Sequence, residues 1–269
     1  MKRIIGFIGS GNMGGAAIAG IIRAELVTPD RVIASDISRA ALSALKKKYD
    51  IRVTTDNLEI AKEADILFLS IKPQLYPRVI EQIRDTVKEN VIIVTFAAGL
   101  SLKRIASWFG RDIKIVRSMP NTPAIVNEGM AAICPNDQVT EEELSDVCSI
   151  FNSFGKSEVV PESLMDVVTG VSGSSPAYIY MLIEAMADAA VAGGMPRTQA
   201  YKFAAQAVLG AAKMVLETGR HPGELKDMVC TPGGTTIDAV IELEKRGWRQ
   251  AVMSAMQVCT DKSKEMSQK

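Results

Sequence analysis

The chain opens on Ile4-Ile5-Gly6-Phe7-Ile8-Gly9-Ser10-Gly11-Asn12-Met13-Gly14, an apolar run that ends in G-x-G-x-x-G. Few local patterns restrict a fold so strongly. The run predicts a strand, and Ala16-Ala17-Ile18-Ala19 predicts the helix that follows. Gly9 permits the tight turn between them, Gly11 lets backbone approach a ligand, and Gly14 lets helix and strand lie close. The helix N-terminus then presents unpaired N–H groups and the positive end of its dipole. Both favour a phosphate. A second β-branched run, Val32 to Ser35, lies at the spacing such a unit requires.

Further runs at Ile66 to Ile71, Val91 to Phe96 and Ile113 to Arg117 alternate with helix-length stretches near 38–48, 76–87 and 102–109. Strands separated by helices predict βαβ units and a mostly parallel sheet covered on both faces. Thr140 and Glu143 have capping-box spacing and predict another helix start. The fold class expected is therefore α/β: a Rossmann-type dinucleotide-binding domain over residues 1–160, followed by an all-α domain over 161–269. Past Pro161 the β-branched runs stop and Ala and Met dominate. Helices are expected near 176–193, 197–217, 235–246 and 248–266. The first carries only Glu184 and Asp188 as charges, so it needs cover on nearly every side. Part of that cover is expected from a second subunit.

Pyrophosphate is expected at Ile8, Gly9, Ser10, Gly11, Asn12, Met13 and Gly14. At the end of the second run stand Ser35 and Asp36. An acid there accepts from the adenosine ribose and favours NAD, while Ser35, Ser38 and Arg39 would suit the 2′-phosphate of NADP. The nicotinamide belongs at the carboxyl ends of the strands. That places it among Ser70-Ile71-Lys72-Pro73, Phe96-Ala97-Ala98-Gly99 and the rigid Asn121-Thr122 segment between two prolines.

Composition narrows the chemistry. Thirty-one Lys and Arg balance 31 Asp and Glu, so no basic face announces nucleic acid or an anionic membrane. The single histidine, His221, excludes multi-His metal sites. No two of the 4 cysteines have CxxC spacing, and reduced thiols in a cytoplasmic protein are expected. No apolar run approaches the roughly 18 residues of a membrane span, and the stretch after Met1-Lys2-Arg3 is too short for a signal peptide.

Two segments of the second half combine glycine and hydroxyl groups at helix starts: Gly170-Val171-Ser172-Gly173-Ser174-Ser175-Pro176-Ala177-Tyr178 and Thr231-Pro232-Gly233-Gly234-Thr235-Thr236. Helix N-termini of this kind hold anions without a charged side chain, and a small carboxylate substrate follows. The β-hydroxyacid dehydrogenases share this domain order but carry a lysine as acid/base. Laid on Gly170 and Gly173, their pattern puts Ile179 at the lysine. Alcohol–ketone chemistry is therefore disfavoured.

These segments, with His221-Pro222-Gly223-Glu224-Leu225-Lys226-Asp227, Pro232-Gly233-Gly234-Thr235-Thr236-Ile237 and the N-terminal motifs, closely resemble the pyrroline-5-carboxylate reductase family along essentially the whole chain. The resemblance implies reduction of a five-membered cyclic imino acid, 1-pyrroline-5-carboxylate, to L-proline by NADPH or NADH. It implies that backbone N–H groups of Gly234, Thr235 and Thr236 hold the carboxylate. By the same resemblance, the Thr236 hydroxyl meets the ring nitrogen as the catalytic group, with Thr231 and Glu162 facing the substrate. Ser174, Ser175 and the Gly233-Gly234 turn are expected to face the nicotinamide, and Asn57 to contact the adenosine. The family usually prefers NADPH; Asp36 departs from its pattern and leaves NADH open. Dimers interlocked through the helical domain, often assembled into rings, are implied as well.

Two rival functions fit parts of this pattern: reduction of a related cyclic imino acid, and a non-catalytic dinucleotide-binding regulator. The intact Pro232 to Ile237 run argues against the second. His221 is expected to orient the turn at Pro222-Gly223, and Glu184 and Asp188 to make polar or interface pairs rather than hold a metal.

Overall fold

A computed structural model describes residues 1–97 and 99–268. They form two compact units, 1–174 with 259–268, and Ser175–Val258.

In the first unit the elements run β1 (Ile5–Ile8), α1 (Asn12–Arg23), β2 (Val32–Ser35), α2 (Arg39–Tyr49), β3 (Arg52–Thr54), α3 (Asn57–Glu63) and β4 (Ile66–Leu69). They continue as α4 (Tyr76–Ile83), β5 (Ile92–Thr95), α5 (Leu102–Phe109), β6 (Lys114–Met119), β7 (Gly129–Pro135), α6 (Glu141–Asn152), β8 (Gly155–Val159) and α7 (Met165–Val168). Among the described residues the strands make one sheet in the order β3-β2-β1-β4-β5-β6-β7-β8. Every pairing is parallel except β6 with β7. The order reverses beside β1, which pairs with both β2 and β4. That is the switch point where α/β sheets bind ligands.

The mostly parallel sheet is the one the alternating pattern predicts, and burial on both faces explains its unbroken apolar runs. Ile66 and Phe68 enter one core layer while Leu67 and Leu69 enter the other. Phe7 and Phe68 are register partners with stacked rings 4.7 Å apart, and Phe96, Phe151 and Phe154 extend that aromatic cluster. Fully burying one such ring stabilises the fold by about 1.5–3 kcal/mol. Tyr76 is completely buried under the other face, where its hydroxyl donates to the Leu69 carbonyl at 2.6 Å. Burial drives its pKa far up, so the phenol stays neutral. The expected capping box is present: Thr140 Oγ1 accepts from Glu143 N, and the Glu143 carboxylate accepts from Thr140 N.

β3, α3, β7, β8 and α7 are not expected from the sequence. β3 is three half-buried residues. β7 is built on small residues, and β8 alternates charge at the sheet edge.

The second unit contains α8 (Ser175–Ala192), α9 (Arg197–Thr218), α10 (Pro222–Val229), α11 (Thr235–Lys245) and the first half of α12 (Trp248–Gln268). α8 packs along α9, yet Ala187 is the only residue of α8 that a single chain buries. Tyr180 (60% exposed), Met181 (68%) and Phe203 (67%) stand open. A helix apolar on nearly every side is thus left largely uncovered by its own chain. Asp188 pairs with Arg197 across the α8–α9 connection, the polar pairing expected of it.

Candidate active site

The turn after β1 is shaped by what surrounds its glycines. Gly9 has φ +94°, and a Cβ there would collide with the Ser70 carbonyl. A Cβ on Gly14 would lie 2.6 Å from the Gly9 carbonyl and 2.9 Å from Ser70 Oγ. Apart from its chain neighbours, no atom of the described residues lies within 4 Å of the Cβ position on Gly11. Two glycines are thus required by the protein's own packing, whereas Gly11 faces open space. α1 begins at Asn12 with no side chain capping it, so its first amides remain available. The turn opens onto a cleft of about 410 Å³ touching Ser10, Gly11, Asn12 and Ile125. These features fit a dinucleotide pyrophosphate.

Asp36 follows β2 and is half-buried. Its Oδ2 accepts from both Ser10 N and Ser10 Oγ at 2.8 Å, and its Oδ1 accepts from Ser38 N at 2.9 Å. Burial pushes this carboxyl up, but the amides of Ser38, Ser10 and Ile37 and the Ser10 hydroxyl outweigh it. The group is held below the ordinary carboxylate range. Ser35 is buried, and its hydroxyl donates to Asn57 Oδ1 at 2.6 Å; Asn57 in turn donates to Gln82 at 3.0 Å. Ser35, Asp36 and Asn57 therefore gather with Ser10 at one end of the β1–β2 edge.

The strand exits supply the other predicted positions. Ser70 abuts the glycine turn, as does Ile71, whose Cγ2 lies 2.9 Å from the Cβ position on Gly9. Lys72 is exposed and immediately precedes the short turn at Pro73–Leu75. The Phe96 ring packs on Phe68 and Phe151, and Ala97 is buried beside it. Ala98, also expected here, lies outside the described residues. Asn121 uses both ends of its carboxamide within the protein: Oδ1 accepts from Met130 N at 2.9 Å, and Nδ2 donates to the Ser172 carbonyl at 3.0 Å.

Glu162 sits where the chain leaves β8. Its Oε1 accepts from the Leu102 amide at 2.7 Å and from Arg117 at 3.0 Å. Arg117 is only 5% exposed, and its Nε has no partner among the described residues. The Glu162 carboxylate is thus counter-charge to a buried guanidinium and cap to α5 at once. Cys134, opposite Arg117 in the β6–β7 register, has its thiol pKa raised by burial and by Glu162. The Ser174 hydroxyl accepts from the Cys259 thiol at 3.2 Å.

In the second unit, Thr231 to Thr236 forms a tight entry to α11. Gly233 has φ +66°, and Gly234 N donates to the Thr231 carbonyl at 3.0 Å. A Cβ on Gly234 would crowd Thr231 Oγ1, so glycine here lets the Thr231 side chain lie against the turn. No side chain caps α11. The first-turn amides, Thr235 and Thr236 among them, are therefore free for an anion. The Thr236 side chain is half-buried and Thr231 is exposed. Ser175 lines an apolar cleft of about 600 Å³ with Tyr178, Trp248 and Met253. His221 caps α10 through Nδ1, which accepts from Gly223 N at 3.0 Å. It orients that turn, as expected.

A glycine turn at the switch point of a mostly parallel sheet, followed by a helical region with an uncapped helix start at α11, defines a nicotinamide-dinucleotide oxidoreductase. The models for pyrroline-5-carboxylate reductase dimerisation and for NADP oxidoreductase, coenzyme F420-dependent, match residues 162–266 and 4–99 respectively. The pyrroline-5-carboxylate reductase of Escherichia coli (strain K12) is 51% identical over 267 residues, covering 99% of each chain. A Coxiella burnetii pyrroline-5-carboxylate reductase structure superposes with a TM-score of 0.94 at 33% identity, covering 99% of both chains. A Plasmodium falciparum pyrroline carboxylate reductase with NADP bound gives 0.89 at 31% identity, covering 99% of this chain and 98% of that one. The chain belongs to the pyrroline-5-carboxylate reductase family. The dimerisation match and the uncovered α8 agree that it self-associates.

Proposed function

We propose that this protein reduces 1-pyrroline-5-carboxylate to L-proline, the last step of proline biosynthesis. Beyond family membership, the observation that carries this reading is the uncapped N-terminus of α11. It can hold a small carboxylate without a lysine or arginine.

The bound nicotinamide supplies a hydride. Residues 8–14 hold the pyrophosphate, and Ser35, Asp36 and Asn57 hold the adenosine end. Ser70, Ile71, Lys72, Pro73, Phe96, Ala97 and Asn121 line the nicotinamide end, Asn121 through backbone because its carboxamide is engaged. The amides of Gly234, Thr235 and Thr236 pin the substrate carboxylate, with Gly233 shaping the turn and Thr231, Ser174 and Ser175 bordering the ring. Thr236 Oγ hydrogen-bonds the ring nitrogen. A protonated imine is already electrophilic: hydride adds to C5, the C=N π pair moves to nitrogen, and a secondary amine results. No strong general acid is needed, and positioning supplies most of the rate. Glu162 acts indirectly, fixing the start of α5 through Leu102 and Arg117.

Residues 1–160 are the dinucleotide-binding portion and 161–269 the substrate-binding and self-association portion. We place the protein in the cytoplasm as dimers that can assemble into rings. Thr236→Ala tests the site: turnover falls or KM for the imine rises by about tenfold, while cofactor affinity holds. Unchanged kinetics would remove Thr236 from the mechanism.

A further inference from the structure

The adenosine end of the site has a feature that the family's usual preference for NADPH does not explain. Asp36 is not a loose acid on a loop. Two donors from Ser10, a residue of the phosphate turn itself, fix Oδ2, and the Ser38 amide fixes Oδ1. A carboxylate has room for about four acceptor contacts. Oδ1 therefore keeps capacity for a ribose hydroxyl, held at the edge of the turn that binds the pyrophosphate.

Of the hydroxyls that could donate to a 2′-phosphate, that of Ser35 is already spent. The Ser35 hydroxyl is buried and donates to Asn57. The Ser38 hydroxyl caps α2, accepting from Ala41 N at 3.3 Å. Of the segment 35–39, only exposed Arg39 offers a cation. A phosphate brought there would meet the fixed Asp36 carboxylate, and like charges at contact are costly in a half-buried setting. Ile37, next in the chain, is fully exposed. It offers the aliphatic face on which an adenine ring packs. Acid, apolar neighbour and the spent Ser35 hydroxyl point the same way.

We propose that Asp36, held by Ser10, makes this enzyme select NADH over NADPH: Asp36 is the specificity-determining residue and Ser10 its positioning residue. The selection takes the dinucleotide reading of residues 8–14 as given and is independent of which imine is reduced.

The test is direct binding of NADH and NADPH to the full-length protein without imine, followed by quenching of intrinsic fluorescence. The wild type should bind NADH about tenfold more tightly than NADPH, the scale of one hydrogen bond to a charged acceptor. Asp36→Ser should reverse the order, weakening NADH and strengthening NADPH. Ser10→Ala should weaken NADH about threefold when Asp36 is present and leave it unchanged in Asp36→Ser, a coupling that only positioning produces. Equal or tighter NADPH binding by the wild type would overturn the proposal and assign the choice to Arg39. Equal Ser10→Ala effects in both backgrounds would remove Ser10 from the selection. Loss of imine turnover with NADH binding intact would instead defeat the substrate reading and leave the selection standing.

Discussion

Arg117 and Glu162, 45 positions apart, form an ion pair of 3.0 Å in which the guanidinium is buried and the carboxylate one-third exposed. The same carboxylate oxygen caps α5 at Leu102. Glu162→Ala leaves a buried cation without its counter-charge and an amide without its acceptor. Stability should fall by about 2–3 kcal/mol, read as a lower urea midpoint. Glu162→Gln keeps an acceptor for Leu102 and should lose less. Wild-type stability of Glu162→Gln would show that the charge is irrelevant.

His221 stands alone in the sequence and so invites a catalytic role. Its Nδ1 instead caps α10. His221→Ala should cost about 1 kcal/mol of stability and leave kcat within about twofold of wild type. A large fall in kcat would place the imidazole on the substrate.

Glu143 supplies a pH dependence with a defined sign. Burial raises its pKa, but hydrogen bonds from Lys114 and Thr140 outweigh that and the net shift is downward from 4.5. A depressed folded-state pKa stabilises the native state above the unfolded-state value, and that stabilisation disappears as pH falls through the folded-state value. Urea midpoints of wild type and Glu143→Gln should therefore differ most near neutrality. They should start to converge as pH falls below the free-carboxyl value of about 4.3, and meet only below the lower folded-state value. A gap independent of pH would contradict this account.

The exposed apolar surface of α8 predicts association. Met181 is 68% exposed on a helix whose only charges are Glu184 and Asp188. Wild type should sediment as a dimer or larger at micromolar concentration, and Met181→Glu should shift it toward monomer. Charging an interface residue costs several-fold to many-fold in affinity. No shift would move the interface off this part of α8.

Much of the sheet was legible because parallel strands buried on both faces are apolar nearly throughout, as 66–69 and 92–94 are. β7 and β8 were not legible. Ala131 and Ala132 lack the β-branched signature, and Lys156 and Glu158 give an edge strand a polar face. The glycine turn and the α11 entry are contiguous, so their chemistry can be read directly. Partnerships between distant residues cannot: nothing local ties Ser10 to Asp36, Arg117 to Glu162, or the Asn121 carboxamide to Ser172. Through those links the Glu162 and Asn121 side chains also hold the framework around the site.

The account is tested most directly by giving the purified full-length protein 1-pyrroline-5-carboxylate with NADH and, separately, NADPH. Cofactor oxidation and L-proline formation are then measured in the same sample. Imine-dependent oxidation matched mole for mole by L-proline, faster with NADH at limiting cofactor, is the predicted result. Bound cofactor that is not oxidised when the imine is added, or oxidation without proline, would contradict it.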